Sequence, residues 1–200
     1  KSIATAVGVY DGFTAKIVEQ AGFDAALISG AAVATSLQGL PDNGMITLTE
    51  MADAAKRISS CVSIPVIADA DNGYGNALNV RRTVQEFELG GCAALQLEDQ
   101  ASPKKCGHMD GKEVIPTIEH CRKIEMAAAT RNEMLILART DAATVTGIDD
   151  AINRVNEYAK AGADFVIVDA PRTVEDLKKI GERVQAPVMV NLVEGGKTPY

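Results

Sequence analysis

The chain has 200 residues, of which 46% are hydrophobic and 24% charged; that is enough apolar material for one sizeable core, and it excludes global disorder. Twenty Lys and Arg against 27 Asp and Glu leave a net charge of −7, with no Trp and no basic run, which argues against nucleic acid and anionic membrane surfaces as partners. No apolar run reaches the roughly 20 residues of a membrane span, and the opening Lys1-Ser2-Ile3 does not read as a secretory leader. The cysteines, Cys61, Cys92, Cys106 and Cys121, form neither a CxxC pair nor a zinc spacing, so reduced thiols and a cytoplasmic location are expected.

Short, nearly continuous apolar runs predict buried strands at 4–9, 25–29, 65–69, 94–98, 135–140, 165–169 and 187–191. Helical periodicity fills the intervals. Val80, Val84 and Phe87 share one face, Ile118, Cys121, Ile124 and Ala128 a second, and Val174, Leu177 and Val184 a third. Thr47 with Glu50, and Thr173 with Asp176, read as capping boxes. The segments 21–28, 90–97 and 161–168 resemble one another, each carrying a glycine that stops a helix ahead of a strand. Strict β-α alternation predicts a parallel sheet. Seven strands without a glycine-rich phosphate loop favour a TIM-type (β/α)8 barrel over a doubly wound sheet. The expectation is one barrel domain over residues 1–200, truncated after its seventh strand.

In such a barrel the chemistry sits at the carboxyl ends of the strands. The strands end at Ser29-Gly30, Asp69-Ala70-Asp71, Glu98-Asp99, Arg139-Thr140-Asp141, Asp169 and Asn191, with Glu194 just after. Asp69 and Asp71 share one strand face, and with Glu98 and Asp99 they form a cluster of hard oxygen ligands suited to Mg2+ or Mn2+; the competing reading is helix caps and solvated acids. Lys104, Lys105 and His108 surround Cys106, an environment that would make its thiol a usable acid or base rather than an idle loop cysteine. Gly107 permits close backbone approach. Arg139, at the end of a buried strand, either pairs with the strand-end acids or clamps a substrate carboxylate, and the clamp is preferred because so acidic a site needs a positive group to hold an anion. Gly73-Tyr74-Gly75 reads as a flexible loop, part of a lid. Cys61, Cys92 and Cys121 read as small core residues, and His120 as packed or solvated.

The run Lys104-Lys105-Cys106-Gly107-His108 is similar to the hallmark of the isocitrate lyase and phosphoenolpyruvate mutase superfamily, in its lyase branch. The segments 66–75, 97–100, 138–141, 39–42 and 191–199 resemble its other landmarks, in order and over nearly the whole chain. The resemblance implies a Mg2+-dependent carbon–carbon lyase of the methylisocitrate type. Such an enzyme splits a 2-hydroxy acid bearing further carboxylates into a 2-oxo acid and a dicarboxylate. It implies that Asp69 and Asp71 hold the metal, with Asp42 and Glu98 reaching it directly or through water. Ser29, Gly30 and Ala31 would line the oxo-acid pocket, Cys106 would protonate the departing carbanion, and Gly107 and His108 would bind substrate. Arg139, Asp169 and Asn191 would complete the pocket, with Glu194 beside them. A homotetramer is also implied. The sequence departs from the family pattern at Leu27, Ala31, Gln96 and Asp169, which leaves the substrate open. The same resemblance admits an oxaloacetate hydrolase or decarboxylase, a phosphonopyruvate-type enzyme, and a non-catalytic carboxylate-binding member.

Overall fold

The polypeptide is described by a computed structural model covering residues 3–107, 109 and 111–199. Six strands form one parallel sheet in chain order: β1 (Ala6–Val9), β2 (Ala25–Ile28), β3 (Val66–Asp69), β4 (Ala94–Glu98), β5 (Leu135–Thr140) and β6 (Phe165–Val168). The sheet curls as part of a TIM-type barrel. The helices are α1 (Gly12–Gln20), α2 (Gly30–Val33), α3 (Leu48–Ser59), α4 (Ala77–Leu89), α5 (Thr117–Thr130), α6 (Ile148–Lys160) and α7 (Val174–Arg183). A π-turn, Ala34–Gln38, continues α2. No helix among the described residues is long and apolar enough to cross a membrane.

The repeated segments have one structural cause. Gly22, Gly91 and Gly162 adopt φ of +82°, +86° and +114° just past α1, α4 and α6. The following amides of Phe23, Cys92 and Ala163 bond back to Val18, Phe87 and Tyr158. This is a Schellman stop, and a glycine takes its left-handed position without a Cβ clash. Each stop aims the chain into β2, β4 or β6. Both expected capping boxes form, Thr47 with Glu50 and Thr173 with Asp176.

The core lies between the sheet and the helices, where Ile28, Phe87, Leu95, Leu97, Ile124, Ile136 and Tyr158 are fully buried. Val80, Val84 and Phe87 bury as expected. The other two helix faces are rotated from expectation. On α5, Ile118 is exposed, while His120, Cys121, Lys123, Ile124 and Ala127 face inward. On α7, Val174 is exposed and Ile180 is the buried residue. Two polar residues can turn inward on α5 because each finds company there. His120 stacks edge-on against Tyr158 with ring centroids 4.6 Å apart, and burial, reinforced by Lys123, drops its pKa to about 3, so it is a neutral core residue.

The seventh expected strand, 187–191, is corrected. It meets β6 through a single parallel bridge, Val166 to Val188, flanked by two backbone bonds of 2.9 Å. Pro187 has no amide to donate, and Val188 and Val190 stand exposed, so no ladder extends.

Candidate active site at the carboxyl rim

The acids that end β3 lie against the turn that follows β2. Asp69 accepts the amide of Gly30 at 3.2 Å, the amide of Asp71 at 3.1 Å and the side chain of Gln96 at 3.2 Å. A Cβ on Gly30 would sit 2.9 Å from Asp69 Oδ2 and 3.4 Å from Asp71 Oδ1, so the glycine lets this backbone close on both carboxylates. Ser29 caps α2 through Ala32. Ser29 and Ala31 line a shallow depression of about 630 Å3 with Tyr10 and Thr35. Gln96, one of the departures from the family pattern, therefore serves to orient Asp69.

Lys104 binds the acid group together. Its ammonium lies 2.7 Å from Asp42 and 2.6 Å from Asp71. Burial opposes its charge, but Glu98, Asp69, Asp71 and Asp42 outweigh that and hold its pKa above the ordinary lysine range. Asp71 is pushed up to about 6 by burial and by Asp69, with Lys104 pulling the other way. Lys105 turns away and donates to the carbonyl of Gly111 at 2.9 Å. Both ammonium groups expected beside the thiol thus have partners of their own, Lys104 on opposite charge and Lys105 on an open carbonyl.

The second half of the rim is built on β5 and β6. Arg139 donates to Asp141 through two nitrogens, at 3.0 and 2.9 Å, and to Asp169 at 3.1 Å, with Glu98 at 3.5 Å. In this geometry the guanidinium is paired with the strand-end acids, the first of the two readings of Arg139. Burial would raise Asp141, yet Arg139 and Lys112 hold it at about 2. Lys112 reaches Asp141 at 2.8 Å and the Gly107 carbonyl. Asn191 donates to Asp169 at 3.1 Å. Burial keeps the Glu98 carboxyl well above the usual range, and its Oε1 is buried without a hydrogen-bond partner.

Gly107 brings the Cys106 loop onto these groups. A Cβ there would lie 2.0 Å from Asp169 Oδ2 and 2.1 Å from Arg139 Nη2. The backbone of Gly107 therefore rests directly on that ion pair, and the neighbouring Cys106 is half-buried. His108 lies outside the described residues. Glu194 sits exposed in a turn after Asn191, with none of the described polar contacts joining it to the rim.

Asp99 leaves the cluster. It accepts Thr140 Oγ1 at 2.6 Å, the Asp141 amide at 2.9 Å, Tyr158 at 2.8 Å and Arg154 at 3.3 Å, all on the helix side of the sheet. The Gly73-Tyr74-Gly75 segment is also corrected: it packs against the core and a Cβ on Gly73 would strike Val80 at 2.6 Å, so it is a wedged turn. Cys92 and Cys121 are buried, and Cys61 is half-buried. Sequence reasoning missed Lys112, and it saw Lys104 only as a neighbour of the thiol. Their partners come from other loops, and nothing in local spacing marks them.

A parallel β/α barrel with a paired-aspartate site at its carboxyl rim defines the class. The family model for phosphoenolpyruvate phosphomutase matches residues 1–199, and the chain belongs to that family, within the PEP mutase/isocitrate lyase superfamily. It is 46% identical to 2,3-dimethylmalate lyase of Eubacterium barkeri and to 2-methylisocitrate lyase of Aeropyrum pernix, each over all of this chain and over 70% and 65% of those proteins. It is 50% identical to the chloroplastic carboxyvinyl-carboxyphosphonate phosphorylmutase of Arabidopsis thaliana, over 96% of this chain and 58% of that one. The chain therefore spans less than two thirds of the length of two of these three relatives.

Among solved structures, 2,3-dimethylmalate lyase superposes with a TM-score of 0.95 at 36% identity, over 100% of this chain and 68% of that one. Oxaloacetate acetylhydrolase bound to 3,3-difluorooxalacetate gives 0.94 at 34%, over 98% and 69%. Phosphonopyruvate hydrolase with oxalate and Mg2+ gives 0.85 at 31%, over 96% and 67%.

Proposed function

We propose that this chain carries the site of a divalent-cation-dependent carbon–carbon lyase acting on a 2-hydroxy acid with further carboxylates, of the 2-methylisocitrate or 2,3-dimethylmalate kind. The products are a 2-oxo acid and a second carboxylic acid. The observation that carries the reading is the seat of Gly107, the residue next to Cys106, on the Arg139–Asp169 pair of the rim. Similarity to two lyases at 46% identity supports it.

Among the described residues no three His, Cys, Asp or Glu side chains converge as a ready metal cage. The donor set nonetheless fits Mg2+, which takes one or two carboxylates and fills its remaining positions with water and substrate oxygens. Asp69 and Asp71 would hold it, with Asp42 and Glu98 beside them, and the open Glu98 Oε1 is an acceptor still seeking a partner. Bound there, the cation would polarise a substrate oxygen.

The chain's own residues supply the rest. Ser29, Gly30 and Ala31 would receive the oxo-acid half; Ser29 and Ala31 line a depression, and the amide of Gly30 bonds to Asp69. Arg139 and Lys104 are the buried cations near which a carboxylate and the charge of a departing carbanion are stabilised. As the carbon–carbon bond breaks, the hydroxyl proton passes to a rim carboxylate, the hydroxyl carbon becomes the carbonyl of the 2-oxo acid, and the bonding pair stays on the departing carbon. The Cys106 thiol protonates that carbon, a contribution of about 10²–10⁴-fold. The reading includes a small carboxylic acid as the partner, a cytoplasmic location and assembly as a homotetramer.

The test is release of 2-oxo acid from 2-methylisocitrate and 2,3-dimethylmalate in the presence of Mg2+. Turnover is expected in the wild type and absent in a folded Cys106→Ser variant; unchanged turnover in that variant removes the thiol from the chemistry. Oxalate or CO2 from oxaloacetate would reassign the site to the hydrolase or decarboxylase reading. Mg2+-dependent thermal stabilisation without any product would make it a binding site.

A further inference from the structure

The turn that presents Asp71 is unusual in its backbone. Asp71, Gly73, Tyr74 and Gly75 have φ of +48°, +87°, +57° and +144°. Left-handed conformations are costly for Asp and more so for Tyr, and they persist only where surroundings impose them. Past the strand end, each carbonyl of such a turn must still find a donor.

Three successive carbonyls are caught by three different elements. The Asp71 carbonyl accepts the Glu98 amide from β4 at 2.9 Å. The Asn72 carbonyl accepts the Lys123 ammonium from α5 at 2.8 Å. The Gly73 carbonyl lies 3.1 Å from the Thr83 hydroxyl of α4, which shares its one hydrogen with the Asn79 carbonyl of its own helix, also at 3.1 Å. Thr83 is fully buried, and Lys123, 4% exposed, lines a cavity of about 670 Å3 together with Asp71 and Lys104. A buried ammonium is expensive unless it is well used. Here it spans 51 residues of sequence to hold one carbonyl next to Asp71.

We infer that Lys123 and Thr83 are positioning residues that hold the 71–75 turn in its left-handed form and thereby set the affinity of the Asp69–Asp71 pair for a divalent cation. Neither is among the carboxylates proposed to hold the cation. Lys123 lies on the helix that follows the Cys106 loop, so it also ties the acid turn to the element behind the thiol. The inference rests on the proposed role of Asp69 and Asp71 as metal holders.

Mn2+ binding to the whole chain, followed by electron paramagnetic resonance of the free ion and by calorimetry, tests it without reference to turnover. Wild type is expected to bind, and Asp71→Asn to bind far more weakly. Lys123→Met is expected to raise the Mn2+ Kd about tenfold or more, with Lys123→Arg, which keeps a cationic donor, recovering most of the loss. Thr83→Val, a milder change, is expected to raise it severalfold and Thr83→Ser not at all. A lowered melting temperature with an unchanged Kd in both Lys123→Met and Thr83→Val would overturn the inference and leave the metal reading standing. A wild type that binds no Mn2+ would overturn both.

Discussion

Glu98 and Asp99 are consecutive acids at the end of β4, and they mark two regions with opposite characters. Alternation along the strand sends Glu98 into the barrel mouth and Asp99 toward the helices. Asp99 is saturated by four donors from β5, the following loop and α6. Glu98 has one oxygen 3.5 Å from Arg139 and the other without a hydrogen-bond partner. A buried acid with every lone pair used is a structural device; one left open stands ready for a ligand. The same contrast separates the two ends of the sheet. Asp24 and Asp164, at strand starts, tie down the amides of Thr5 and Ile136, whereas the strand-end acids crowd together around Lys104 and Arg139.

This comparison can be broken by substitution. The largest effect belongs to Asp99→Ala. It strands Arg154, Tyr158 and Thr140 in a buried network, and a loss of about 3–5 kcal/mol is expected in urea unfolding. A shift under 1 kcal/mol would erase the distinction between the two acids.

Gly107→Ala comes next. Its methyl group cannot coexist with the Arg139–Asp169 pair as placed, so the loop must lift or the pair must part. Turnover is expected to fall about 100-fold with the unfolding midpoint nearly unchanged, because displacement of about 1 Å from productive geometry costs that much. Equal turnover in steady-state assays would show that the loop's seat is irrelevant to the chemistry.

The smallest effect sharpens the picture by pH. Asp71 keeps its proton up to about 6 in the metal-free fold, above its value in an unfolded chain. Its contribution to stability is therefore full below about pH 4 and is lost as pH rises through 6. Metal-free Asp71→Asn is expected to be more stable than wild type by about 1–3 kcal/mol at pH 8, with the gain vanishing at pH 4. Divalent-cation affinity should rise across the same interval. Thermal melts over pH 4–8 with a chelator present decide it, and a gain independent of pH would rule the titration out.

Much of the architecture was legible in the residues. Apolar runs placed the six strands to within two residues, because nearly continuous apolar residues stand out against the helical periodicity on either side. Glycine stops and Thr–Glu or Thr–Asp boxes are local, and local chemistry reads directly from sequence. Asp69, Asp71, Arg139 and Gly107 were legible as rim groups because they end strands or follow them. The inward turn of His120 and Lys123 was not, since the partners that make it tolerable, Tyr158 and the Asn72 carbonyl, lie far along the chain.

What the sequence determined by itself is the alternation of strand and helix, the polar strand ends and hence the rim on which chemistry gathers. What only the tertiary structure decided is the assignment of partners: Lys104 to Asp42 and Asp71, Lys112 to Asp141, Asp99 to the helix layer, and Lys123 to the turn behind Asp71. The reason is physical. Periodicity and capping depend on neighbours a few residues apart, whereas the charge state and role of a buried group depend on which distant residues the fold packs against it.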